Sequence, residues 1–447
     1  MSVWFAPFAW LGGPRFDENV SIGVSGGVIE SVDVGSQPSS DAIRLEGVAL
    51  PGLVSGHSHA FHRALTGHTH DAGGDFWVWR EAMYGLAQRL EPDSYRSLAT
   101  EVFAEMLRAG ITTVGEFHYL HHRVDGRPYP DAHAMENALI GAALDAGIRM
   151  TLFDACYLTS EVSGAPPLPE QRRFSDGSPE AWSRRVADLA NGVDYQTVKV
   201  GVAAHSVRAV PPASLSMVAH LADDLRLPAH AHVSEQRAEN EACLAEHGMT
   251  PMRLLSDTGF LTGRATAVHA THLSEGDRDL LASSGAGACF CPTTEQDLGD
   301  GIGPARELRD RGVSISLGSD SNATIDLFEE ARSLELNDRL RLERRGIHSP
   351  DELLRSASGA GLASLGWGVH EPLAVHSPAD FVAVGYGDSV MSGFDPIDGV
   401  GAFLFSARRP SISDVIVAGK RVVRDGLSTS GQSGKSLHRL IRQLVSW

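Results

Sequence analysis

Apolar and polar positions alternate along this chain with two different periods. In residues 1–50, short runs rich in Val and Ile are broken by glycine, as in VSIGVSGGVIESVDVG. This punctuation predicts small antiparallel strands joined by tight turns. The last eighty residues have the same texture, with ADFVAVGYG and SDVIVAGKRVVRDG alternating around Gly419 and Gly426. The two chain ends are therefore expected to complete one small β unit that flanks the middle.

The middle follows a helical period. In PDSYRSLATEVFAEMLRAG, residues Leu98, Val102, Phe103, Met106 and Leu107 recur at helical spacing and Gly110 supplies a stop, after which ITTVGEFH reads as a buried strand. An apolar run from Val48 to Val54 reads as the opening strand, and IRMTLFDA, TVKVGVAAH, LPAHAHV, ATAVHA, GAGACFC and VSISLGSD bring the count to eight. Eight strands alternating with helices predict a (β/α)8 TIM barrel, although a doubly wound sheet shares much of the pattern. The expected division is residues 1–49 as the first part of a small β-sandwich domain, 50–372 as the barrel, and 373–447 as the rest of the small domain.

Composition narrows the function classes. With 447 residues, 42% hydrophobic and 21% charged, the chain is globular and large enough for a barrel and a smaller unit. A net charge of -18 argues against nucleic acid or an anionic membrane as partner. Four cysteines in so long a chain do not form a disulfide framework, and Cys289 and Cys291 read as core residues before they read as metal ligands. The opening MSVWFAPFAWLGGPRF lacks a basic leader and loses its apolar character at Gly12, and no apolar run is long enough for a membrane span. A soluble, cytoplasmic protein is expected.

The candidate chemistry lies at the strand ends. VSGHSHAFHRAL puts His57, His59 and His62 directly after the opening strand. Side chains two apart in a strand share a face, so His57 and His59 can act together on a metal, although an isolated H-x-H is more often an exposed turn. Further strand ends carry His118, His205, His232, His269 and Asp320. In a barrel these ends converge on one mouth, where catalytic residues of such folds sit. Nitrogen donors with a carboxylate suit zinc first, with iron or manganese as alternatives, and an open position would take a water.

GHSHAFHRAL, HAHVSEQ, VHATH and LGSDSNA, in this order, resemble the metal-dependent amidohydrolase superfamily over essentially the whole chain. The resemblance is to its one-metal deaminase branch. It implies His57, His59, His232 and Asp320 as ligands of one divalent ion per subunit, His269 beside the activated water, and Glu235 as proton shuttle. A two-metal arrangement in the superfamily needs a carboxylated lysine at the end of the fourth strand; that place holds His205, and Lys199 lies six residues earlier.

Within the branch, FWVWREAMY, GEFHYLHH, HSVRAV and CPTTEQDLGDGI are similar to formimidoylglutamate deiminases of bacterial histidine degradation, which convert N-formimino-L-glutamate and water into N-formyl-L-glutamate and ammonia. This similarity implies substrate contacts from His62, Tyr119, His205 and Arg208, and from Arg80 delivered by the neighbouring subunit of a homodimer. Planar guanidinium forks suit the two carboxylates of such a substrate. Two departures bear on recognition: position 62 is His where several members carry Gln, and Asn322 stands where a second His is common. The alternatives are a deaminase of an aminated ring, such as guanine, a triazine or an adenosine derivative, and a non-catalytic scaffold of the same fold.

Overall fold

The computed structural model describes residues 2–69, 76–387, 389–432 and 434–445. Eight parallel strands follow one another around a barrel: β1 (Leu53–Ser58), β2 (Ile111–His118), β3 (Arg149–Cys156), β4 (Val198–Ala204), β5 (Ala229–Val233), β6 (Ala265–His269), β7 (Gly287–Phe290) and β8 (Ile315–Leu317). Each pairs with the next in sequence. The ring is drawn shut past the end of β8, where Ser58 bridges to Asp320, the His59 amide donates to the Asp320 carbonyl at 2.9 Å and the Asp320 amide to the His57 carbonyl at 3.0 Å. Closure therefore clamps three site residues in one step.

The helix expected before β2 spans Pro92–Arg108, and its Leu98, Val102, Phe103, Met106 and Leu107 are buried against the barrel. Both chain ends meet in a second unit, one nine-stranded mixed sheet in which Val48–Pro51 lies between Ser2–Ala9 and Phe381–Val384. The expected continuous strand from Val48 to Val54 is thus two. Val48–Pro51 pairs in the outer sheet, Leu53–Ser58 in the barrel, and Gly52 turns between them. A side chain at Gly52 would overlap the Thr112 hydroxyl, with only 2.0 Å between the two atoms, so the break needs glycine. The C-terminal stretch is also less purely β than expected. Helices form at Gly399–Ser406 and Gly434–Leu444, and the latter packs on Pro92–Arg108. Its Leu437, Ile441 and Leu444 lie at helical spacing, a signal obscured by the short strands before it.

Candidate metal centre and its cleft

His57 near the end of β1, His59 just beyond it, His232 on β5 and Asp320 after β8 meet at the barrel mouth, all buried. Nε2 of His57 is 3.5 Å and Nε2 of His59 3.6 Å from Asp320 Oδ1, and the Nε2 atoms of His57 and His232 are 3.0 Å apart. The other ring nitrogens fix the tautomers. His59 Nδ1 faces the Phe117 carbonyl at 2.8 Å and His232 Nδ1 faces the His205 carbonyl at 2.9 Å. A carbonyl only accepts, so each Nδ1 donates and each Nε2 turns a lone pair toward the centre. Burial pushes the His57, His59 and His232 imidazoles down, toward the neutral form a cation requires. Burial alone would raise Asp320, but the His57 hydrogen bond and the neighbouring imidazoles hold its carboxyl below the usual range. Converging lone pairs beside an ionised carboxylate fit a divalent ion with a nitrogen preference.

The mouth is backbone-strained where it is chemically busiest. His269 (φ 67°) and Asp320 (φ 40°) adopt left-handed conformations that side chains rarely take. Asn322 (φ 56°) explains how the second is held. Its Nδ2 donates to the His59 and Asp320 carbonyls at 3.0 and 3.1 Å and to the Ser58 hydroxyl at 3.1 Å, while its Oδ1 accepts from Ser319. This departure therefore acts on the barrel seam and does not line the cleft.

His269 Nε2 stands 3.8 Å from Asp320 Oδ2 and 3.9 Å from Glu235 Oε1. Its Nδ1 is 3.3 Å from Glu295 Oε1, which also accepts from the Cys291 amide at 2.9 Å. Burial opposes charge on His269, but Glu235, Glu295 and Asp320 outweigh it and hold the imidazole well above its ordinary value. Sequence reading missed Glu295, because an acid in the first turn after CPTT looks like ordinary helix-start chemistry. Cys289 and Cys291 are buried in the core as expected, with the Cys291 sulfur within 4.8 Å of donor atoms of His269 and Asp320.

A cleft opens from this centre, and Phe76, Trp79, Tyr84, Tyr119 and Tyr157 form much of its wall. Every predicted substrate contact lines it: His62, Arg80, Tyr119, His205 and Arg208. His62 Nε2 lies 2.9 Å from the Tyr119 hydroxyl, whose oxygen is also 3.5 Å from the Met83 sulfur. Burial drives His62 down to about 3, leaving it neutral, and its Nδ1 has no partner among the described residues. Arg208 Nη2 is 3.4 Å from Glu235 Oε2 and its Nε 3.5 Å from Glu239 Oε2. Glu239, also missed in the sequence, accepts from the Ser234 amide at 3.1 Å, and burial, opposed by the Arg208 charge, pushes its carboxyl up to about 7.

In this single chain Arg80, which the resemblance brings from a neighbouring subunit of a dimer, lines the cleft from helix Phe76–Ala87. Its guanidinium lies 4.4 Å from the Trp77 ring centroid and its Nε has no partner among the described residues. His118 does not join the mouth. It lies on the outer side of β2, with Nε2 3.4 Å from Glu136 and its ring stacked on Tyr95.

Comparison with known proteins agrees with this geometry. The amidohydrolase family profile matches residues 48–422. Formimidoylglutamate deiminase of Pseudomonas aeruginosa is 35% identical over 440 residues, covering 95% of each chain. A 5-methylthioadenosine/S-adenosylhomocysteine deaminase of Natronomonas pharaonis is 26% identical over 76% of this chain and 74% of its own. Among solved structures, an amidohydrolase from Brucella melitensis superimposes with a TM-score of 0.91 at 33% identity, over 100% of both chains.

Proposed function

Because this chain belongs to the amidohydrolase family, we propose that it is a metal-dependent deiminase that hydrolyses N-formimino-L-glutamate to N-formyl-L-glutamate and ammonia in histidine degradation. The observation that carries this reading is the layout of the cleft, with a cation site at one end and the guanidiniums of Arg80 and Arg208 along its walls. A substrate with an amidine head and two carboxylates has the matching polarity. The full-length likeness to the Pseudomonas deiminase supports it.

In this reading His57, His59, His232 and Asp320 hold one divalent ion per subunit, zinc by their donor set, with iron or manganese as alternatives. Such an ion supplies the Lewis acidity that makes water a nucleophile at neutral pH. Asp320 and His269 orient the attacking water toward the formimino carbon, with Glu295 fixing the His269 ring. Glu235 takes a proton from that water and gives it to the departing nitrogen, so that ammonia leaves as the C–N bond breaks. Arg208 and Arg80 each receive a carboxylate, Tyr119, His62 and His205 shape the wall, and the aromatic lining keeps bulk water out. The proposed assembly is a homodimer in which Arg80 serves the neighbouring active site, and the single chain already sets Arg80 at the cleft. A reducing cytoplasm suits four free, buried cysteines.

The test is ammonia release from N-formimino-L-glutamate by zinc-loaded protein, with the product mass recorded. Ammonia with N-formylglutamate is expected, and the one-carbon-shorter formimino-aspartate should lose one clamp and at least about tenfold in kcat/KM. No ammonia from protein shown to hold its metal would overturn the reading in favour of an aminated ring, which the aromatic walls could also stack.

A further inference from the structure

At the end of the barrel opposite the cleft, a cavity open to solvent separates the strand starts from the chain-end sheet. Its walls are largely apolar, with Ile29, Pro51, Val313, Leu362, Leu373 and Pro378 among them. Into this space comes Arg309, from the short helix Ala305–Asp310. One of its nitrogens, Nη2, donates to the Ser356 hydroxyl at 3.0 Å, while its Nε is buried without a partner among the described residues. Arg309 makes no ion pair among the described residues, and the acids around it are already engaged. Glu352 accepts from the Ser349 amide at 2.7 Å and lies 3.5 Å from Arg306, Asp380 binds Arg149 at 2.6 Å, and Glu371 binds Arg355 at 2.8 Å.

Arg309 is half-buried, but a guanidinium N–H held away from water without an acceptor is costly, and proteins keep such groups where something pairs with them. Cavities between structural units, with apolar walls and a few polar groups, are the common setting for small ligands. We propose that this cavity is a second ligand site, for a small carboxylate with a compact apolar body. The carboxylate pairs with the free Nε edge of Arg309, and the body rests on Leu362, Leu373 and Pro378. The site is independent of the hydrolytic cleft, and nothing in it requires the proposed reaction.

Benzoate is the probe. Crystals of the metal-loaded protein soaked in 4-bromobenzoate should show a bromine anomalous peak in this cavity, and titration in solution should show R309M binding benzoate at least tenfold more weakly than the parent. R309K keeps the charge but loses the fork, so it should bind with intermediate affinity, and it replaces R309M should that variant not fold. Inorganic phosphate, a bare anion, should bind more weakly than benzoate. A bromine peak only at the barrel mouth, or undiminished binding in R309M, or in R309K where that variant stands in for it, would overturn the proposal; phosphate binding as tightly as benzoate would overturn the apolar part of it.

Discussion

At the barrel mouth, His57, His59, His232, His269 and Asp320 converge on one another; between β2, β3 and the helices Ala134–Ala146 and Pro179–Gly192, His118, His121, His122, Glu136, Asp154 and Asp176 surround an arginine. Both clusters are buried, and both place three donors within the 4.8 Å that a metal ion would span. They differ in what the donors face. In the second cluster Arg185 donates from Nη1 to Glu136 and Asp154 at 2.8 and 2.7 Å, from Nη2 to Asp154 and Asp176 at 2.9 Å each, and from Nε to Asp176 at 2.8 Å. The Glu136 oxygen toward which His118 and His121 point is the one already bound by Arg185. At the mouth no arginine or lysine among the described residues takes that place, and the His57 and His232 rings face one another with Nε2 atoms 3.0 Å apart. Residue type alone does not separate the two clusters; what the donors already bind does.

The sharpest way to separate the two is through function. Glu235→Gln should lower turnover by ~10²–10⁴-fold, the usual range for a lost general acid–base, while the metal content of the purified protein stays unchanged. Near-normal turnover would remove Glu235 from the proton path. In the second cluster Arg185→Met leaves three buried carboxylates without their shared cation, and such a change costs about 3–5 kcal/mol of stability. Urea denaturation should show that loss, with turnover per folded molecule retained. A variant as stable as the parent would mean that this network does not hold β3 to its helices.

These two clusters also show where sequence is legible. His57 and His59 could be paired from spacing alone, because a strand repeats its facing every two residues. Convergence of strand ends, by contrast, misplaced His118. Phe117 packs on His57, His59 and His232 inside the barrel, so His118, one position on, faces the helices. Strand parity was not readable in ITTVGEFH, where both faces are buried and no polar alternation marks the inside. Eight strands and their order were readable from period and breaker residues, whereas the Gly52 break was not, since both halves of VALPGLV are apolar. Glu239 and Glu295 are helix-borne acids whose partners, Arg208 and His269, lie far along the chain, and single-sequence reading has no access to such pairs.

A smaller effect tests the cleft end of the comparison. Arg208→Ala removes charge-assisted hydrogen bonds to a substrate carboxylate, each ~1.5–3 kcal/mol, so kcat/KM for formiminoglutamate should fall about 10–100-fold. The loss should be mainly in KM if Arg208 only binds. A kcat loss as large as that of Glu235→Gln would instead mean that its contact with Glu235, at 3.4 Å, tunes the shuttle.

The smallest effect is acid sensitivity, and its sign follows from Arg185. Burial pushes Glu136 and Asp176 up, yet Arg185 together with His118, His121 and His122 reverses this and holds both carboxyls below their ordinary range. A depressed carboxyl means that the unfolded chain binds the proton first as pH falls. The stability these groups confer is therefore complete above the unfolded value of about 4 and drains away below it. His121 runs the other way: burial lowers it, Arg185 lowers it further, and the Asp154 and Glu136 charges bring the net shift above the ordinary histidine value. Its contribution is full below about 6.5 and fades as pH rises through its folded value. The urea midpoint of the parent should thus drop between about pH 5 and 3, and Arg185→Met should flatten that drop, because without the guanidinium the folded carboxyls titrate nearer the unfolded ones. An equally steep acid drop in the variant would move the origin of acid sensitivity away from this network, leaving Asp320 at the mouth, held low by its histidines, as the group to examine.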